Sequence, residues 1–125
     1  MFNALRMLKR KENKLERISN KMKEELGVGL LDVSNNAITQ YRSLTNDNHN
    51  LSNEACILKL NRNFHCSNKI LKDDERSMCK AYGNMKIYYS KIHNEIYNIV
   101  NNRTRIHNMK TDEILKAKLN KIMEL

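Results

Sequence analysis

Residues 78–106 read MCKAYGNMKIYYSKIHNEIYNIVNNRTRI, and apolar side chains recur along them in alternating steps of four and three. Such spacing is typical of a helix that buries one face over several turns. It predicts one unbroken helix over about residues 74–107, roughly 50 Å long at about 1.5 Å per residue. The residues on its predicted face are Met78, Tyr82, Met85, Tyr89, Ile92, Ile96, Ile99, Arg103 and Ile106.

The rest of the chain also has a helical character. It contains no proline and only three glycines, which favours long helices over the frequent turns of sheet-rich folds. We therefore predict an all-α fold, in which residues 1–125 form a single domain: a compact four- to five-helix bundle organised on the long helix. The other helices predicted from apolar periodicity are about residues 4–26, 34–44 and 51–66, and a last helix capped by Thr111.

The long helix raises the question of oligomeric state. A helix of that length is too long to be covered by the shorter helices of so small a chain unless they lie end to end along it. It is either the spine of the bundle or the interface of a homodimer, and the sequence leaves both open. The predicted oligomer seam consists of Tyr89, Ile92, Ile96 and Ile99.

Charge is the strongest indication of function. The chain has 23 basic and 14 acidic residues, a formal net charge of +9, and a surplus of fixed positive charge attracts polyanions. We therefore predict a non-enzymatic protein that binds DNA or RNA mainly through phosphate contacts, with nearby tyrosines either stacking on bases or packing in the seam. The predicted phosphate-binding residues are Lys9, Arg10, Lys11, Lys14, Arg103, Arg105 and Lys110.

Two other kinds of binding protein fit the same features. One is a small inhibitor or adaptor, of the type encoded by viruses and mobile elements, whose basic face docks an acidic protein partner in a host complex. The other is a structural subunit of a larger assembly. Residues 18–42 also have the outline of a helix-turn-helix, although the connector around Gly29 is longer than the usual turn.

Catalytic and membrane functions find little support in the sequence. There is no glycine-rich phosphate loop, nucleophile elbow or His-Glu-x-x-His motif, and Cys56, Cys66 and Cys79 lack the close spacing of a metal site. We expect no cofactor and no metal. No apolar run reaches membrane-spanning length, so we expect a cytoplasmic protein, although residues 1–11 also have the basic, amphipathic pattern of a targeting segment.

Overall fold

The segment that predicts one long helix is folded as strands. The structure is a computed structural model that describes residues 2–44, 46–101 and 111–125. Within them lies a five-stranded mixed sheet with helices packed against it, so the all-α prediction is wrong. The long helix over 74–107 does not exist, because residues 77–101 contain three strands joined by two turns.

One very short strand enters the sheet directly after α1, and the other four strands follow α3. The strand order is β1-β5-β4-β3-β2, in which β1 runs parallel to β5 and the other neighbours are antiparallel. In chain order the elements are α1 (Phe2–Leu26), β1 (Asp32–Val33), α2 (Asn35–Ser43), a short 3₁₀ helix (Asn46–Asn48), α3 (Asn53–Cys66), β2 (Lys69–Asp73), β3 (Ser77–Tyr82), β4 (Met85–Ser90), β5 (Glu95–Asn101) and α4 (Glu113–Met123).

The four shorter helices were predicted at nearly the observed places. Gly27, at a φ of +76°, directly follows the last residue of α1. Ser34 caps α2 through its hydroxyl, which accepts a hydrogen bond from the Ala37 amide at 3.1 Å. Helix α4 is capped by Asp112 and not by Thr111, which instead bridges to Ser67 at the start of the sheet. No helix in the described ranges has the combined length and apolarity that crossing a bilayer requires.

The spacing of four in residues 78–89 is a strand pattern. Side chains alternate between the faces of a strand, so positions four apart share a face just as they do on a helix. Met78 pairs with Tyr89 and Tyr82 pairs with Met85 across the β3–β4 hairpin, and all four point towards the helices. Gly83 begins the two-residue turn at a φ of +60°, a conformation that glycine adopts without strain.

Two of the four steps of three come from a turn and from a β-bulge. The step from Tyr82 to Met85 spans the hairpin turn. The step from Ile96 to Ile99 spans an irregularity in the β4–β5 pairing, where Tyr97 is the extra residue. A bulge shifts the alternation by one position, so both isoleucines face the core.

Two apolar clusters hold the sheet and helices together. The first lies between the inner face of the sheet and helices α2 and α3, and the second joins α1, α3 and α4. The fully or nearly buried residues of the first are Ala37, Ile38, Tyr41, Cys56, Leu60, Phe64, Met85, Ile87, Ile96 and Ile99. Those of the second are Ile18, Met22, Leu58, Cys66, Leu119, Ile122 and Met123.

The predicted oligomer seam does not form one stripe. Ile96 and Ile99 are buried in the first cluster, and Tyr89 packs against its edge. Ile92 lies in the loop between β4 and β5 and is 66% exposed. The helical seam is therefore wrong, and the homodimer it suggested stays a prediction without that support.

Helix α2 covers the edge of β5 beyond the short strand β1. The Ser34 amide donates to the Ile96 carbonyl at 2.9 Å, which continues the parallel ladder by one residue. The Gln40 side-chain oxygen then accepts the Ile99 amide at 2.7 Å, and its nitrogen donates to the Asn98 side chain at 2.8 Å. Side chains of α2 thus satisfy an edge that would otherwise be open to pairing.

The connector between α1 and β1 is fixed by side chains of α1 and α3. Ser19 accepts a hydrogen bond from the Leu30 amide at 2.9 Å, and His65 Nε2 lies 3.1 Å from the Gly29 carbonyl oxygen. A Cβ at Gly29 would meet the Ser19 hydroxyl at 2.9 Å, so only glycine fits this close approach. Burial lowers the pKa of His65, which favours a neutral ring that donates to Gly29.

Asp74 organises the turn between β2 and β3. Its carboxylate accepts hydrogen bonds from the Arg76 amide at 2.9 Å and the Ser77 amide at 2.8 Å. Acidic residues such as those at 73–75 are common at the start of a helix, where their carboxylates accept hydrogen bonds from free backbone amides. Here the Asp74 carboxylate accepts amides in the same way, but it closes the turn between two strands. These two amides lower the pKa of the Asp74 carboxyl to about 2.

We expect this turn to weaken only in strong acid. A carboxyl whose pKa is depressed in the folded state stabilises the protein above its unfolded pKa and loses that contribution as the pH falls. For Asp74 the loss should run from pH 3.8 down to about pH 2. An NMR titration of the side-chain carboxyl carbon should give a midpoint near 2, and a midpoint at 3.8 or higher would contradict the described hydrogen bonds.

Candidate functional site

The outer face of the sheet lies opposite the face on which helices α2 and α3 pack. On β3 and β4 the outward pairs are Cys79 with Tyr88 and Ala81 with Lys86. None of these four residues belongs to either apolar cluster, because α2 and α3 pack on the opposite face. We call this surface the open face; it consists of the outward residues of strands β2 to β5.

Two tyrosines lie side by side on the open face. The ring centroids of Tyr88 and Tyr97 are 6.2 Å apart with an interplanar angle of 56°. Tyr97 is 38% exposed, and it takes this position because it is the extra residue of the β-bulge. Val100, 39% exposed, continues the apolar surface along β5. The exposed ring of Tyr97 beside the half-buried ring of Tyr88 provides an aromatic surface on which a flat ligand can stack.

Lysines surround this aromatic pair. In the strand pairing, Lys72 lies opposite Cys79, Lys69 opposite Ala81, and Lys86 is on the neighbouring strand. The small side chains of Cys79 and Ala81 are 2% and 0% exposed. The middle of the open face is therefore buried, and lysines lie among the larger side chains beside it.

Cys79 lies on this face, but its thiol is not activated as a nucleophile. Burial raises the pKa of the Cys79 thiol, so the reactive thiolate is disfavoured. Burial likewise raises the pKa of Tyr88, which pairs with Cys79 across β3 and β4.

A groove opens at one end of the face, between the β2–β3 turn and the β4–β5 loop. Its volume is about 420 Å³. The side chains that matter for ligand chemistry are those of Arg76, Ile92, His93, Glu95 and Tyr97. The groove thus joins the exposed tyrosine to a cation, an imidazole and a carboxylate.

Of the basic residues that the sequence predicted as phosphate contacts, the structure describes the side chain of Lys14. Lys14 forms an ion pair with Glu54 at 2.9 Å, which ties α1 to the start of α3. Lys9, Arg10 and Lys11 lie on helix α1, but their side chains are outside the described part. Arg103, Arg105 and Lys110 lie outside the described residues altogether.

The surplus of positive charge is unevenly distributed along the chain. Residues 2–26 carry eight basic and four acidic residues, residues 69–101 carry six and four, and residues 102–110 carry three and none. The remaining residues balance, with six of each sign. The whole of the net charge of +9 thus belongs to α1, the antiparallel strands and the segment that follows β5.

Polar groups inside the protein have structural roles. Lys80 points to the inner face, where its Nζ donates to the Phe64 carbonyl oxygen at 3.1 Å and lies 4.6 Å from the Phe64 ring centroid. Burial lowers the pKa of Lys80, and its charge is stabilised by the carbonyl end of α3. Among the described residues, no buried side-chain nitrogen or oxygen lacks a hydrogen-bond partner.

Sequence reasoning missed the residues that make the open face, namely Tyr88, Lys69, Lys72 and Lys86. The usable signal was the alternation in residues 79–81 and 86–88, where every second side chain is small or apolar. Reading these residues as a helix placed them on unrelated faces. The stacking of tyrosines near basic side chains is predictable from composition, but the pairing of Tyr97 with Tyr88 depends on the strand neighbours.

The described ranges give no sign of a metal centre, since no group of three or more histidine, cysteine, aspartate or glutamate side chains is placed to hold an ion. The geometry is that of a binding surface: an aromatic pair, a cationic surround and a groove at one end. Comparisons with protein-family models, with curated proteins and with solved structures found no match to this chain.

Proposed function

We propose that the protein binds single-stranded nucleic acid on the open face of its sheet. The observation that carries this proposal is the pair of Tyr88 and Tyr97 on an uncovered surface bordered by lysines. Bases stack on exposed aromatic rings, and lysines contact the phosphates that connect those bases.

Single strands suit this surface better than a duplex does. Stacking on a protein ring requires a base whose own face is free, as in loops, ends and unpaired strands. Reading a duplex would instead require a helix or ribbon that enters a groove, and the open face is flat. The helix-turn-helix alternative loses its basis, because Asp32–Val33 form a strand between α1 and α2.

The charge of the open face supports the same ligand. Lys86 is on β4 with Tyr88, and Lys69 and Lys72 are on β2, two strands away. Within the residues that the structure describes, the one ion pair of these lysines joins Lys72 to Asp74 at 3.5 Å. Each phosphate that a protein neutralises on a single strand contributes about −0.7 to the slope of log K against log salt. Three lysine contacts would therefore give a slope near −2.

The test is fluorescence anisotropy with a labelled single-stranded oligonucleotide of mixed sequence over a range of salt concentrations. Replacing Tyr97 with alanine should weaken binding roughly 5- to 150-fold, since stacking of one base contributes about 1–3 kcal/mol. Tyr97→Phe keeps the ring and should bind within about twofold of the unmodified protein.

Tyr97 is exposed and outside the apolar clusters, so we expect both variants to fold like the unmodified protein. Circular dichroism of both variants checks this. Failure of the unmodified protein to bind any single-stranded oligonucleotide at low salt would end the proposal. So would an affinity that is the same in Tyr97→Ala.

A further inference from the structure

The groove at the end of the open face contains two charged side chains of opposite sign that are free to bind a ligand. The guanidinium of Arg76 and the carboxylate of Glu95 make no side-chain hydrogen bond or ion pair with any other residue in the described part of the chain. Glu95 pairs through its backbone with Ser90, which places it beside the turn that follows β4. Arg76 is exposed and Glu95 is half-buried, and both line a groove of about 420 Å³.

The walls of the groove are suited to a flat ring. Tyr97 lines one part of it, and Ile92, which is 66% exposed, lines another. An apolar side chain so exposed in a loop belongs to neither apolar cluster, and it lines the same groove as the Tyr97 ring. The volume falls at the lower end of the range of small-ligand sites, which bury a ligand between apolar walls and fix it with a few polar groups.

We propose that this groove holds one base of the bound strand and that Glu95 selects a base with an amino group. This inference rests on the proposed function. The base lies against Tyr97 and Ile92, Arg76 contacts the adjoining phosphate, and the Glu95 carboxylate accepts a hydrogen bond from the exocyclic amine.

The selectivity follows from the hydrogen-bonding groups of the bases. An ionised carboxylate accepts hydrogen bonds and has none to donate. Cytosine presents an amino group at the position where thymine and uracil present a carbonyl oxygen. A carboxylate facing that oxygen leaves two acceptors opposed and both without a donor, which disfavours the wrong base.

The experiment compares deoxycytidine and deoxythymidine oligonucleotides of about ten nucleotides at neutral pH and fixed salt, since both bases are pyrimidines of similar size. We expect the unmodified protein to bind the cytidine strand about tenfold more tightly. Glu95→Gln should reduce this preference to about twofold or less, because an amide can donate to the thymine oxygen as well as accept from cytosine. Glu113→Gln, an exposed change of the same kind on α4, should keep the full preference.

The possible failures separate the two proposals. Tight but equal binding of both strands overturns the base selectivity and leaves the open face as a nucleic-acid surface. A cytidine preference that persists in Glu95→Gln also overturns the role of Glu95. If neither strand binds, the proposed function fails and this inference fails with it.

Discussion

Replacing Ile96 with alanine is expected to lower the free energy of unfolding by about 2–5 kcal/mol, whereas the same change at Ile92 should alter it by less than about 0.5 kcal/mol. Ile96 is 0% exposed in the first apolar cluster, and truncation there leaves a cavity between β5 and helix α2. Ile92 is 66% exposed in a loop. Chemical denaturation of the two variants and the unmodified protein measures the difference.

This matched pair also distinguishes the observed fold from the helical seam. On a helix that buried both isoleucines in a dimer, the two substitutions would be similarly damaging, and the loss would depend on protein concentration. Equal losses for Ile92→Ala and Ile96→Ala would therefore contradict the strand and loop positions described for these residues.

The misreading of residues 78–106 has a physical cause. A step of four places two side chains on the same face of either a helix or a strand, so Met78 and Tyr82 cannot distinguish the two. Two of the four steps of three, which decided for a helix, arise from the Gly83 turn and from the extra residue Tyr97. A third, from Tyr89 to Ile92, ends at an exposed loop residue. The informative signal was Gly83-Asn84 between two runs of alternating side chains, a hairpin signature.

Other parts of the fold were predictable because local interactions specify them. The shorter helices have unambiguous apolar faces and capping residues such as Ser34 and Ser52, whose hydroxyls accept backbone amides three residues ahead. The sheet depends on pairings between distant residues and on a bulge, which no local pattern specifies. The charge surplus was visible in the sequence, but the open face required knowing which strands are neighbours.

Replacing Asn61 with leucine is expected to lower the free energy of unfolding by about 2–5 kcal/mol. Asn61 is 0% exposed, and its amide group pairs with both backbone groups of one residue: the oxygen accepts the Leu31 amide at 2.7 Å, and the nitrogen donates to the Leu31 carbonyl at 3.0 Å. Leucine is of similar size but leaves both backbone groups buried without partners. Thermal or chemical denaturation measures the loss.

An exposed asparagine provides the control for this change. Asn20→Leu alters the same chemical groups on the solvent side of α1 and should stay within about 0.5 kcal/mol of the unmodified protein. Hydrogen exchange provides a second readout, because the Leu31 amide should exchange faster in Asn61→Leu than in Asn20→Leu. A loss below about 1 kcal/mol with unchanged exchange at Leu31 would contradict the buried pairing.

The parallel pairing of Asp32–Val33 with Glu95–Ile96 determines when the molecule can fold during its synthesis. Strand β1 has no partner until β5 has left the ribosome. The apolar sides of α2 and α3 therefore stay exposed to solvent while most of the chain is synthesised. Pairing strands that are distant in sequence requires closing long loops, and this entropic cost precedes the contacts that stabilise the fold. We therefore expect refolding over milliseconds to seconds, not the microseconds that a helical bundle of similar size can reach.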